Sequence, residues 1–237
     1  MPTRYLVPIL AAAALSASAA LAENVVLRQD FDSFAADDVG KLGNEQDDGG
    51  AWKEFGKLES SPRVNSEEFF AAPGTKTGKS IRIIRDDSLV LTSDFWLTGA
   101  WAAPLDARKL RISFRVLRDS PESCFSVHLG TAEKNAGVNK IAVSVGGRST
   151  SGEKVQVMKN DGEWQTTDVQ ILPGSWTQVT MTMDLVAETY AVSVDGSPAA
   201  EAIPFKREGA LRKISFLPAY PDANVSYIDD VEVAELD

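Results

Sequence analysis

The sequence predicts an all-β protein, a two-sheet antiparallel jelly-roll sandwich, on three observations. Apolar and polar residues alternate in run after run, the period of an extended strand with one buried face. Gly, Pro and Asp punctuate the runs at short intervals: Gly takes positive φ, Pro fixes φ, and Asp caps turns. Strand-like runs with Asp at similar places stand at both ends, Val25–Asp32 and Val225–Val233, as in sandwiches closed by pairing the first and last strands. No long amphipathic helix follows the N-terminal segment.

The elements follow in order. Val25–Asp32 reads as the opening strand. Residues 35–50 and 59–79 are polar and Gly-rich and read as long loops, with Asp47-Asp48-Gly49-Gly50 lacking the alternating ligands of a calcium-binding helix-loop-helix. Ser80–Ile84 is a short strand candidate. Leu110, Ile112, Phe114 and Val116 alternate with Arg111, Ser113 and Arg115. Phe125, Val127 and Leu129 alternate with Cys124, Ser126 and His128. Ile141–Val145, Val155–Met158, Val169–Leu172, Val179–Met183, Tyr190–Val194 and Ile214–Leu217 continue the series. Asp119-Ser120-Pro121, Gly146-Gly147, Asp161-Gly162, Pro173-Gly174, Asp195-Gly196 and Pro218 are the breaks. One apolar and one polar face per strand indicates antiparallel sheets.

Residues 1–22 read as an export signal. Arg4 supplies the charge, Leu6–Leu15 the apolar run, and Ala20-Leu21-Ala22 a small-x-small cleavage site. Residues 23–237 then form one domain, long enough to bury a core. The chain is expected to be exported, to the periplasm or beyond, with no membrane span once the signal is removed. A formal net charge of −10 argues against nucleic acid as partner. The single cysteine, Cys124, excludes an internal disulfide and reads as a structural thiol.

Three constellations can carry chemistry. Adjacent terminal strands would bring Asp30 or Asp32 towards Asp229 or Asp230, and clustered carboxylates suit a hard cation, calcium above all. Strand parity puts Arg111 and Arg115 on a non-core face, and His128 likewise. If their strands pair through the turn at Asp119–Ser123, Arg115 and His128 become neighbours in a patch suited to an anionic group. Trp52, Trp101 and Trp164 fall in or beside loops, where an aromatic face can stack on the C–H face of a sugar. Trp96 and Trp176 read as core.

Gly174-Ser175-Trp176-Thr177-Gln178-Val179 through Asp184, the following Thr189–Gly196 hairpin strand, and Tyr227-Ile228-Asp229-Asp230-Val231 together resemble the concanavalin A-like lectin/glucanase jelly rolls, including laminin G-like and carbohydrate-binding modules. Taken with the three constellations, the resemblance leads to the expectation of an exported, non-catalytic, lectin-like carbohydrate-binding domain, stabilised by calcium, in which the constellations supply Arg111, Arg115, His128, Trp52, Trp101 and Trp164 as ligand residues and Asp30, Asp32, Asp229 and Asp230 as metal ligands. The same superfamily contains enzymes. Its glucanases carry Glu-x-Asp-x-x-Glu on one strand, which is absent here. Its alginate lyases carry Gln-(Ile/Val)-His, which stands here as Ser126-Val127-His128. A polysaccharide lyase or glycoside hydrolase using His128 and Arg115 is the alternative reading. A structural or adhesive envelope protein is a third.

Overall fold

The computed structural model describes residues 23–30, 52–55, 69–71, 79–85, 96–100, 108–131, 141–145, 152–206, 209–218 and 224–236. The proposed signal lies outside them. Among the described residues every regular element is a strand: β1 (Glu23–Gln29), β2 (Trp52–Phe55), β3 (Phe69–Ala71), β4 (Lys79–Arg85), β5 (Trp96–Ala100), β6 (Lys109–Arg118), β7 (Phe125–Thr131), β8 (Ala142–Val145), β9 (Lys154–Met158), β10 (Trp164–Gln170), β11 (Thr177–Asp184), β12 (Thr189–Val194), β13 (Ser197–Pro204), β14 (Leu211–Pro218) and β15 (Asn224–Leu236). They form two antiparallel sheets. Sheet A runs β13-β12-β11-β6-β15-β4-β3 with β1 also on β15, and sheet B runs β10-β9-β8-β7-β14-β5-β2.

The expected pairing of the terminal strands is present. Along one edge of β15, Asn224–Ile228 pairs with β4 and Val231–Leu236 with β1, while β6 flanks the other edge. Between these halves the ladder to β6 slips, and Asp230 takes φ 48°. A short polar side chain tolerates that left-handed conformation, so the bulge falls on an Asp.

Period-two patterning decides what is buried. Leu110, Ile112, Phe114 and Val116 of β6, Met181 and Met183 of β11, and Val231 and Val233 of β15 face Phe125, Val127 and Leu129 of β7, Val143 of β8, Val157 of β9, and Ile214 and Phe216 of β14 across a single core. Phe114 packs edge-on to both Phe125 and Phe216, with ring centroids 6.3 and 5.2 Å apart. Tyr190 of β12 crosses the core. Its hydroxyl lies 2.6 Å from the Met158 carbonyl oxygen and 3.2 Å from that of Ala142, where the β8–β9 ladder ends. Burial pushes this phenol up from its ordinary pKa, against the pull of those backbone contacts.

The chain changes sheet between β6 and β7 and again between β10 and β11. Arg118, fully buried at the end of β6, fastens both crossings. Its guanidinium donates to the carbonyl oxygens of Ser123 (2.6 Å) and Pro121 (2.6 Å) in the first connection, and to that of Ile171 in the second. Its own carbonyl accepts from Gly174 N at 2.8 Å. Burial lowers its pKa, yet a guanidinium stays charged at neutral pH.

Several sequence expectations are corrected. Phe69–Ala71 is a strand inside the stretch read as loop. Trp164, expected in or beside a loop, is the first residue of strand β10, just after the Asp161-Gly162 turn. Trp176 is half-buried rather than core.

Candidate functional site

The outer face of sheet A carries the arginines. Arg111 and Arg115 alternate with core residues on β6, as their parity requires. Each is already matched. Arg111 donates to Glu23 (Nη2–Oε2 2.8 Å) and to Glu232 Oε1 (2.7 Å), and Glu232 Oε2 also accepts from Arg28 Nε at 2.9 Å. The result is an alternating chain, Arg28–Glu232–Arg111–Glu23, that fastens β1 and β15 to β6. Burial would raise the Glu232 pKa, but the two guanidinium partners outweigh it and hold the carboxyl below its usual range. Arg115 lies 3.4 Å from Asp230 and over the Trp176 ring, 5.3 Å from its centroid.

The predicted neighbourhood of Arg115 and His128 does not form. β6 pairs with β11 and β15, in sheet A; β7 pairs with β8 and β14, in sheet B. Both side chains do point away from the core. Because the Asp119–Ser123 connection crosses between sheets instead of closing a hairpin, they lie on opposite outer faces of the sandwich.

The outer face of sheet B is different in kind. His128 stands opposite Ala142 on β8 and Ser215 on β14, and Trp164 opposite Met158 on β9. Three strand spacings, about 14 Å, separate β7 from β10 along that line. The two rings nevertheless meet edge-on, 6.2 Å between centroids and 83° between planes. They lean towards each other across Ala142 and Met158. One step along the strands runs a row of neutral polar groups, Ser126, Ser144, Gln156 and Thr166. Ser126 Oγ donates to Ser144 Oγ at 2.9 Å, and Ser144 Oγ to the Phe125 carbonyl at 3.1 Å. Gln156 Nε2 donates to Thr166 Oγ1 at 3.1 Å, and Gln156 Oε1 is buried with no hydrogen-bond partner. Ser126, Ser144 and Gln156 are buried, which is unusual for polar side chains on the outside of a sandwich.

The remaining expected residues separate. Trp52 opens β2 and pairs with Gly99 of β5. Trp101 and Asp32 lie outside the described residues. Asp30 directly follows the last β1–β15 pair, Gln29 with Val231, which brings it to the Asp229–Asp230 bulge. Asp229 Oδ1 accepts from Asp230 N at 2.8 Å, and the Asp230 carboxylate takes Arg115. Among the described residues no group of three or more His, Cys, Asp or Glu side chains is placed to hold a metal. Cys124 is buried, as a structural thiol should be.

Sequence reasoning missed Gln156 and Arg118. Nothing in the sequence singles out Gln156, a polar residue at a polar-face parity. Arg118 did carry a signal: it falls in phase with Leu110, Ile112, Phe114 and Val116, a charge at a core position.

No family model matches the chain, and no curated protein matches it. Solved structures do. An alginate lyase, AlyC3, aligns at TM-score 0.54 and 10% identity, over 88% of this chain and 96% of that one. Domain 4 of AbnA, a GH43 extracellular arabinanase from Geobacillus stearothermophilus in complex with arabinotriose, aligns at 0.50 and 14%, over 90% and 93%. A sialidase aligns at 0.51 and 11% over 68% of this chain, which spans only 16% of that longer protein. Sheet topology and these likenesses give the chain a two-sheet antiparallel β-sandwich fold. At such identities they establish the fold alone.

Proposed function

We propose that this chain is an exported carbohydrate-binding domain that takes a glycan on the outer face of sheet B without cleaving it. The observation that carries the reading is the Trp164–His128 pair leaning over a floor of small and neutral polar side chains. An indole supplies the face on which a pyranose stacks, and hydroxyl and amide neighbours serve its OH groups. The Geobacillus domain, of similar fold and in complex with arabinotriose, supports the reading. Arg111 and Arg115 take no part in the proposed site, because they lie on the other face, paired to carboxylates.

The absence of the glucanase carboxylate motif from the sequence favours binding over hydrolysis. The lyase reading retains His128 as base, but its expected partner Arg115 lies in the other sheet. Calcium belongs to the proposal as a stabilising ion at the Asp30 end of β1. Arg115 competes there for Asp230, one of the four expected ligands with Asp30, Asp32 and Asp229.

A glycan array with product analysis tests the reading. Trp164→Ala should weaken binding by about 1.5 kcal/mol, roughly tenfold in Kd, while Arg115→Ala leaves it unchanged. An unsaturated uronate product that disappears in His128→Ala would overturn it in favour of a lyase.

A further inference from the structure

We infer that Gln156 is the specificity-determining residue of this face, and that the sugar it selects presents a neutral hydrogen-bond donor, a hydroxyl or an acetamido N–H, rather than a carboxylate. The inference rests on the carbohydrate reading above and deepens it.

Gln156 sits on β9, between Ser144 of β8 and Thr166 of β10. Only 5% of its surface is exposed. Its Nε2 is spent on Thr166, and its Oε1 meets no donor. A buried acceptor left unsatisfied is a standing penalty that folding alone gives no reason to keep, since an apolar isostere would remove it. The two neighbouring hydroxyls do not relieve it: Ser144 donates to the Phe125 carbonyl, and Thr166 already accepts from the same amide. What satisfies Oε1 must therefore come from outside the described residues, and it must donate.

Trp164 is placed to admit it. Across the β9–β10 pair it stands opposite Met158, so Gln156 is its diagonal neighbour, within reach of an aromatic ring. Trp164 is also the first residue of β10, the edge strand of sheet B. A pyranose that turns the indole aside and stacks on it brings a hydroxyl over the Gln156 amide. A carboxylate in the same position offers only acceptor lone pairs to an acceptor, so a uronate is disfavoured there. A site whose buried polar group is completed by the ligand also rejects an analogue that lacks the complement.

The test uses Gln156→Met, which keeps the length of the side chain and removes the acceptor, beside the unaltered chain and Trp164→Ala. Binding of arabinotriose, cellohexaose and trimannuronate is measured by calorimetry, and melting by circular dichroism. The expected result is that a neutral probe binds in preference to trimannuronate. Gln156→Met should then lose about tenfold for the neutral probe while melting at or above the temperature of the unaltered chain. A lower melting temperature in Gln156→Met with undiminished affinity makes the residue structural and overturns the inference. So does a preference for trimannuronate, which would mean that the amide presents its N–H; the carbohydrate reading survives both results. Binding of none of the three probes, with Trp164→Ala indistinguishable from the unaltered chain, overturns both.

Discussion

Replacing Arg118 by Met removes a fully buried guanidinium whose three described acceptors are main-chain carbonyls. Each charge-assisted hydrogen bond contributes about 1.5–3 kcal/mol, so the gross loss is roughly 5–9 kcal/mol. Against this, the charge no longer has to be desolvated, which returns several kcal/mol, and the methionine fills much of the space. The net expectation is a loss of about 2–4 kcal/mol. For a domain of this size each kcal/mol moves the melting temperature by about 2–4 °C, so the midpoint should fall by roughly 4–16 °C. Calorimetric melting at pH 7 reads it directly. Arg118→Lys should fall comparably, because an ammonium cannot reproduce the planar fork that reaches two connections at once. A methionine variant melting within about 2 °C of the unaltered chain, or a lysine variant that restores it, refutes the claim that this fork holds the two crossings.

Other perturbations have equally definite outcomes. Glu232 and Asp184 both have folded pKa values below their ordinary ones; backbone N–H groups of Ala187 and Val186 hold Asp184 there, and guanidinium groups hold Glu232. Their contribution is therefore complete above the unfolded pKa, near 4, and is lost as pH falls through the folded values; Glu232→Gln should flatten the acid limb of a stability–pH profile measured by urea titration. Thiol reagents should modify Cys124 only at the rate of unfolding, because the side chain is buried in the native fold. Calcium is expected to raise the melting temperature over a chelator melt, by about 2.7 kcal/mol of stability at a hundredfold excess over its Kd, and Asp32→Ala to abolish the rise; superimposable melts remove the ion from the proposal.

What was legible in the sequence is what period two encodes. The faces of β6, β7, β8, β11 and β12 follow from alternation, because one side of each strand meets the same core. The pairing of the chain ends was legible from their matched runs, and the turn at Asp195-Gly196 from its chemistry; both residues take positive φ, 47° and 76°. Alternation does not say which sheet a strand joins. A hairpin and a sheet-to-sheet crossing leave the same parity on Arg115 and His128, and the sequence reading took the hairpin. The strands without alternation are less legible: of β10, with polar residues on both faces, only the end is read, within Val169–Leu172, and β13, with Pro198-Ala199-Ala200, is not read at all.

The crossing between β6 and β7 makes the two outer faces chemically separate, and this can be measured without any ligand. If Arg115 and His128 shared a face across paired strands, replacing either would alter the environment of the other, and the double variant would show a coupling of about 0.5–3 kcal/mol. On opposite faces, with a packed core between them, the effects must add. Arg115→Ala should weaken stability only slightly, since its partners Asp230 and Trp176 lie on the outer face of sheet A, and His128→Ala should act within sheet B, where it meets Trp164. The double variant Arg115→Ala/His128→Ala should then equal the sum of the singles to within about 0.3–0.5 kcal/mol in urea unfolding, the usual error of additivity for distant sites. A coupling well above that limit would mean that the connection at Asp119–Ser123 closes a hairpin after all. It would return the arginines to the ligand face and with them the case for an anionic sugar.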